Sequence, residues 1–185
     1  MEKTKVKARV MDASKIRRVL YRLATEIVER NRSLKNVFIL GIRTRGIDIG
    51  KRISRMIEEM EGVSIPVGVL DITPYRDDIP ACETRPSPKK TRIPSPVVRK
   101  DVLLVDDVLF TGRTIRAAMD GVFALGRPRT VQLIVLIDRG HRELPIRPDY
   151  VGKVLPTSRR EIVEVRLKEV DGRDEVLITE PVKLG

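Results

Sequence analysis

The 185-residue chain has no tryptophan, one cysteine, one histidine, and only three phenylalanines and three tyrosines. The lone Cys82 excludes an intramolecular disulfide and any cysteine-rich metal site, and it fits a reducing compartment, so a cytoplasmic protein is expected. So few rings argue against a single-strand nucleic-acid platform built on base stacking. The charged start, Met1-Glu2-Lys3-Thr4-Lys5, is followed by no apolar stretch of signal-peptide or membrane-span length, and no membrane partner is expected. No internal repeat or coiled-coil heptad stands out.

Cations are abundant instead. Lys and Arg number 37 against 26 Asp and Glu, a formal net charge of +11. That balance favours polyanionic partners, either a phosphorylated small molecule or a folded RNA recognised through its phosphates, although a solvated, ion-paired surface has the same composition. The length suits one well-buried α/β domain over residues 1–185 and is too short for two of ordinary size.

Along the chain, a short basic lead precedes Asp12, a cap for a helix with Ile16, Val19, Leu20, Leu23, Ala24, Ile27 and Val28 on one face. Val37 to Leu40 reads as a buried strand ending in Gly41-Ile42-Arg43-Thr44-Arg45-Gly46, a polar turn into a second helix. Ile65 to Asp71 suggests another strand. Six prolines between Thr73 and Pro96, with Lys89, Lys90 and Arg92 among them, resist a packed element, so about 72–97 reads as a flexible insertion that hoods the site. Ile115 to Leu125 marks a third helix and Val131 to Ile137 a further buried strand. Asp138 to Lys153 then reads as a long cationic edge loop. Alternating runs at 162–167 and 175–178, joined around Asp171-Gly172, suggest a terminal hairpin.

The most informative run is Val102-Leu103-Leu104-Val105-Asp106-Asp107-Val108-Leu109-Phe110-Thr111-Gly112-Arg113-Thr114. An apolar strand buried on both faces delivers two acids to the carboxyl end of a parallel sheet, where open α/β sheets bind ligands. Thr111 to Thr114 offer hydroxyls, a glycine and backbone N–H groups at a helix start, a setting for an anion. The acids cannot serve that same anion. They accept bonds from neutral hydroxyls, or approach a phosphate through a cation. Paired acids also occur as plain strand ends, helix caps or phospho-acceptor pockets, but a phosphorylated sugar satisfies both halves of this run. Thr44 and Arg45 form a second candidate phosphate site, Arg45 able to grip a diphosphate at two points.

The acid pair with Thr111, Gly112 and Thr114 closely resembles the phosphoribosyl diphosphate (PRPP) motif of type I phosphoribosyltransferases, and Thr44-Arg45-Gly46 looks like their pyrophosphate loop. Asp71 to Asp78, Asp107 to Thr114, and Arg139-Gly140-His141-Arg142-Glu143-Leu144-Pro145-Ile146-Arg147 narrow the resemblance to the PyrR family, from about Ile16 to Ser158. It departs at Pro74 and Phe110, where a leucine and a tyrosine are expected, and Phe110 has no hydroxyl to offer. The resemblance implies a mainly parallel sheet flanked by helices, with a flexible hood. It also implies the reaction uracil + PRPP → UMP + diphosphate, with Mg²⁺ bound mainly through PRPP and diphosphate and no dedicated protein metal site. A second implied activity is binding of pyrimidine-operon (pyr) leader mRNA when loaded with UMP or UTP, promoting transcription termination. A homodimer or higher oligomer is expected.

On this reading Asp106 and Asp107 hold the ribose hydroxyls. The run Val108, Leu109, Phe110, Thr111, Gly112, Arg113 and Thr114 envelops the nucleotide, and Thr44 and Arg45 hold the departing diphosphate. Arg76 acts on diphosphate or base, with Asp77 or Asp78 assisting proton removal. Arg139, Tyr150 and Val151 form the base edge, and Arg22, Arg30, His141, Arg142, Arg147 and Lys153 the RNA face. Two other readings stay open: a transferase without RNA regulation, even one acting on purine bases, and an RNA-binding nucleotide sensor with little turnover.

Overall fold

The computed structural model describes residues 4–77 and 91–181. Its centre is a five-stranded parallel sheet in the order β3-β2-β4-β5-β6, formed by β2 (Val37–Ile42), β3 (Val67–Leu70), β4 (Asp101–Leu109), β5 (Thr130–Asp138) and β6 (Tyr150–Val154). Alternation within the strands divides the core. Ile39, Leu103, Val105 and Ile134 face α1 (Ala13–Arg30) and α2 (Arg45–Glu61), whereas Phe38, Leu40, Val102, Leu104 and Val135 face α3 (Arg113–Ala124). Each such side chain, wholly removed from water, contributes about 1.5–3 kcal/mol. Both faces of the sheet are covered, which is why its central strands are apolar throughout.

Asp12 caps α1 as its sequence suggests, its carboxylate accepting the Lys15 N–H at 2.8 Å. The basic lead is not a free arm, however. Thr4–Asp12 is a strand, β1, paired antiparallel with β8 (Glu175–Pro181), which in turn pairs with β7 (Ile162–Arg166). Only Met11 of β1 is buried, so its sequence carries the charged pattern of a solvated edge strand and little hydrophobic signal. The three-stranded sheet packs Val163, Val165, Leu167 and Val176 into the core beneath α1 and α2.

Two further expectations change. The terminal pair is antiparallel, but the connection is longer than a two-residue hairpin turn: α4 (Lys168–Asp171) intervenes and Gly172, at φ +74°, closes it. The cationic loop also ends earlier than expected, because Tyr150–Val154 joins the sheet as its edge strand. In the proline-rich insertion, Arg92 pairs with Val69 through two backbone bonds of 2.7 and 2.9 Å, while Asp78, Cys82, Lys89 and Lys90 lie outside the described residues. Among the described residues no helix is long and apolar enough to cross a membrane.

Candidate active site

The carboxyl ends of β2, β3 and β4 open onto one cleft of about 370 Å³. Ile42 to Thr44 enter it from β2, Asp71 to Thr73 and Arg76 from β3, and Asp106 to Val108 from β4, with Thr114 contributed by α3. A cavity of about 280 Å³, sharing Arg76 and Thr114, continues under Phe110, Thr111 and Arg113. Thr44, Arg76, Asp106, Asp107 and Thr114, far apart in the chain, therefore meet in one place.

Two helix starts face this cleft. α2 begins after Thr44 and α3 after Gly112, and neither of these residues caps its helix with a side chain; the Arg113 N–H makes a long 3.4 Å bond to Thr111 Oγ1, which leaves the following N–H groups and both dipoles for an anion. Gly112 holds φ +94°, which places the turn where L side chains are strained. Gly46, in the first turn of α2, sits so close to β4 that a Cβ there would lie 2.3 Å from the Val105 carbonyl oxygen. The peptide between Arg43 and Thr44 is cis.

Between these positive ends lie the paired acids. The Asp106 carboxylate accepts the Asp107 N–H at 3.0 Å, and that of Asp107 accepts the Val108 N–H at 2.9 Å. Burial pushes the Asp106 carboxyl well above the usual carboxylate range, and the neighbouring Asp107 pushes it further. Burial also raises Asp107, offset in part by the charge of Arg45. Such a pair costs free energy while empty and gains by meeting hydroxyl donors.

Beyond Phe110 the chemistry changes. Arg139 is buried, its guanidinium 4.0 Å over the Phe110 ring, its Nε donating to Thr157 Oγ1 at 3.1 Å and Nη2 to the Ser158 carbonyl at 2.9 Å. These acceptors are neutral, and among the described residues no carboxylate is hydrogen-bonded to the cation, the nearest electrostatic influence being Glu161. His141 packs edge-on to Phe110 and contacts the Thr157 carbonyl through Nε2. Arg113 sits at the rim, bridging Asp77 and Glu143. Leu109 is buried and fixes the end of β4.

Several expected roles are corrected by this geometry. Tyr150 is no base-pocket residue: it is wholly buried, its hydroxyl donating to Gln132 at 2.8 Å and accepting from Asn31 at 3.2 Å, at the opposite, amino end of the sheet. Val151 lines a separate cavity under loop 144–148. Arg142 turns inward to Asp138 and to the carbonyls of Phe110 and Ile146, pinning the loop rather than facing solvent. His141 turns inward with it. Arg142→Ala is thus expected to lower the melting temperature, removing about 2–3 kcal/mol of half-buried charged hydrogen bonds, which thermal unfolding of the variant would check. Arg45 keeps its place at the start of α2: its guanidinium is held by Asp171 and it stands beside the residues that line the cleft, within electrostatic reach of Asp107. Arg22 and Arg30 reach over the edge strand, donating to carbonyls of Val151, Gly152 and Asp149, while Arg147 is exposed and Lys153 partly so.

Sequence reasoning passed over Arg43, Asp71 and Thr73, although the rule that placed the acid pair, a strand's carboxyl end, applies equally to them. Asp71 accepts both the N–H and the hydroxyl of Thr73, fixing the turn that follows β3. Thr157 and Ser158 carried no such signal, because only the folded order of the strands brings them to Arg139.

Residues 9–169 match the phosphoribosyl transferase domain family. The chain is similar to the Bifunctional protein PyrR of Thermus aquaticus, 56% identical over 94% of this chain and 96% of that one, and to that of Deinococcus radiodurans, 50% identical over 98% and 99%. Among solved structures it shares its fold with the hypoxanthine phosphoribosyltransferase of Trypanosoma cruzi, with a TM-score of 0.72 and 16% identity, covering 96% of this chain and 98% of the other. A Staphylococcus aureus hypoxanthine phosphoribosyltransferase gives 0.68 at 18% identity, covering 96% and 94%. The parallel sheet with its flanking helices is that of the type I phosphoribosyltransferases, and by near-full-length identity of 50% or more to proteins of that name the chain belongs to the PyrR family.

Proposed function

We propose that the chain transfers the phosphoribosyl group of PRPP to uracil, releasing diphosphate, and that the loaded protein binds pyr leader mRNA in the cytoplasm, working as one domain and assembled as a homo-oligomer; the expected hood falls mostly on 78–90, outside the described residues. The observation that carries the enzymatic half is the acid pair set between two uncapped helix starts. One start takes the 5′-phosphate at Thr111 to Thr114, the other the diphosphate at Thr44 and Arg45, and Asp106 with Asp107 accepts from the ribose hydroxyls between them. Breaking the C1′–oxygen bond builds positive charge on the ribose, which the adjacent carboxylates stabilise while the α2 start and Arg45 hold the departing anion. Arg76, at both cavities, closes on the diphosphate or base.

Among the described residues no group of three or more His, Cys, Asp or Glu stands together as a metal cage. Thr44 and Asp107, which line the same cleft, carry oxygen donors that would hold a Mg²⁺ ion arriving with PRPP, the ligand type that hard cation prefers. When bound, it neutralises the leaving group. The base then lies against Phe110, where the Arg139 guanidinium, hydrogen-bonded only to neutral acceptors among the described residues, suits the carbonyl oxygens of uracil. Thr157 and Ser158 take over the base-edge role expected of Tyr150 and Val151. Incubation with PRPP, Mg²⁺ and uracil, guanine or hypoxanthine is expected to yield UMP alone; a purine nucleotide as the main product would refute the assignment.

For RNA, the outward cations are Arg147 and Lys153, with Arg22 and Arg30 beside them on α1. Arg147→Ala is expected to weaken leader-RNA binding and to reduce the slope of log affinity against log salt by about 1, since one phosphate contact is lost. Filter binding across a salt series, with and without UMP, reads both quantities. An unchanged slope would remove Arg147 from the interface.

A further inference from the structure

Arg45 stands at the first position of α2, yet its guanidinium points to a different sheet. Nε donates to Asp171 Oδ2 at 3.1 Å and Nη2 donates to Oδ1 at 2.9 Å, a two-point pair. Asp171 closes α4, and its Oδ2 also accepts the Leu167 N–H at 2.9 Å, so the carboxylate is fixed from two sides. Two helical turns along the same face of α2, Arg52 repeats the contact. It is bonded at two points to Glu169, at 2.9 and 2.6 Å, and at two points to Asp174, at 2.9 and 2.7 Å. The turn between β7 and β8 is therefore gripped twice by the helix whose start faces the cleft.

The pair does not exhaust Arg45. A guanidinium carries five N–H donors, and Asp171 engages two of them. Arg45 also lies within the electrostatic reach of Asp107, one of the acids that line the cleft. Its orientation is fixed while donors remain for an anion, which lowers the cost of ordering a long side chain when the ligand arrives.

We infer that Asp171 is a positioning residue for the diphosphate end of the site, holding Arg45 so that its remaining N–H groups meet the leaving group. The second, antiparallel sheet is then part of the active site's framework. This rests on the reading of Arg45 as a diphosphate ligand.

Steady-state kinetics with PRPP and uracil, inhibition by inorganic diphosphate, and thermal melts of Asp171→Asn, Asp171→Glu, Arg45→Ala and the Arg45→Ala, Asp171→Asn double variant test it. Asp171→Asn is expected to raise the PRPP KM and the diphosphate Ki about tenfold, with kcat and the uracil KM changed less than about threefold. Asp171→Glu should recover most of that loss. In the Arg45→Ala background, Asp171→Asn should add nothing, because a residue that acts through another has no effect once its partner is gone. A lower melting temperature with unchanged PRPP KM and Ki would make Asp171 a brace only and overturn the inference. So would multiplicative effects in the double variant. Arg45→Ala leaving KM and Ki unchanged would instead overturn the reading of Arg45 itself, and the inference with it.

Discussion

Asp106→Asn is expected to lower kcat/KM for PRPP by about two orders of magnitude, the cost of losing a charged acceptor to a ligand hydroxyl and a negative charge beside the developing cation. The same variant should be more stable than the parent at neutral pH. Asp106 is buried, and burial and Asp107 together raise its folded-state pKa above the unfolded value. Its contribution to stability is thus fully present below the unfolded pKa, about 4, and is lost as pH rises through the raised folded value. Asparagine removes that loss and relieves Asp107 of a like-charged neighbour, while its side-chain oxygen can still accept the Asp107 N–H. The melting temperature of the variant should exceed the parent's at pH 7–8, by about 2–4 °C for each kcal/mol relieved, and the difference should vanish near pH 4. A variant that loses activity and stability together would mean that the acid supports the fold and is not held there for the ligand.

The second large effect is expected from Gly46→Ala. The added methyl would lie 2.3 Å from the Val105 carbonyl oxygen and 3.4 Å from Asp106 Cα, both backbone atoms of the central strand that cannot rotate away. Either α2 lifts from β4 or β4 bends at the acids. Overpacking ordinarily costs about 1–3 kcal/mol, and a clash with backbone should sit at or above the top of that range, a drop of about 6–12 °C in melting temperature. PRPP turnover should fall further than stability explains, because the displaced segment carries Thr44 and Arg45. Full PRPP affinity in a folded Gly46→Ala protein would show that the close approach of loop and strand is dispensable for binding.

Where a residue's placement follows from its neighbours in the chain, sequence sufficed. The apolar run into Asp106-Asp107 specifies a buried parallel strand, the end of that strand opens onto the cleft, and the turn from Thr111 leads into α3 at Arg113. The charged β1 defeated the same reasoning, since a strand that buries one residue has almost no hydrophobic period. Tyr150 and Arg142 show the limit on the side-chain level. Both residue types suit the roles expected of them, but Tyr150 lies at the sheet's amino end beside Asn31, and Arg142 is drawn inward by Asp138 and by carbonyls of the turn after β4. Those partners come from other elements. Likewise, Arg45 was legible as a cation at a helix start, whereas its partner Asp171, 126 positions away, was not.

The division of the core by the sheet also bears on how the site measures its ligand. α2 is anchored in the apolar layer on one side and α3 in the layer on the other, and the two helices spring from β2 and β4, hydrogen-bonded neighbours. The separation of the two helix starts is therefore set by strand spacing, about 4.8 Å per step, and by two independently packed layers. On the function proposed above, that spacing would act as a fixed gauge for the distance between two phosphates on one ribose.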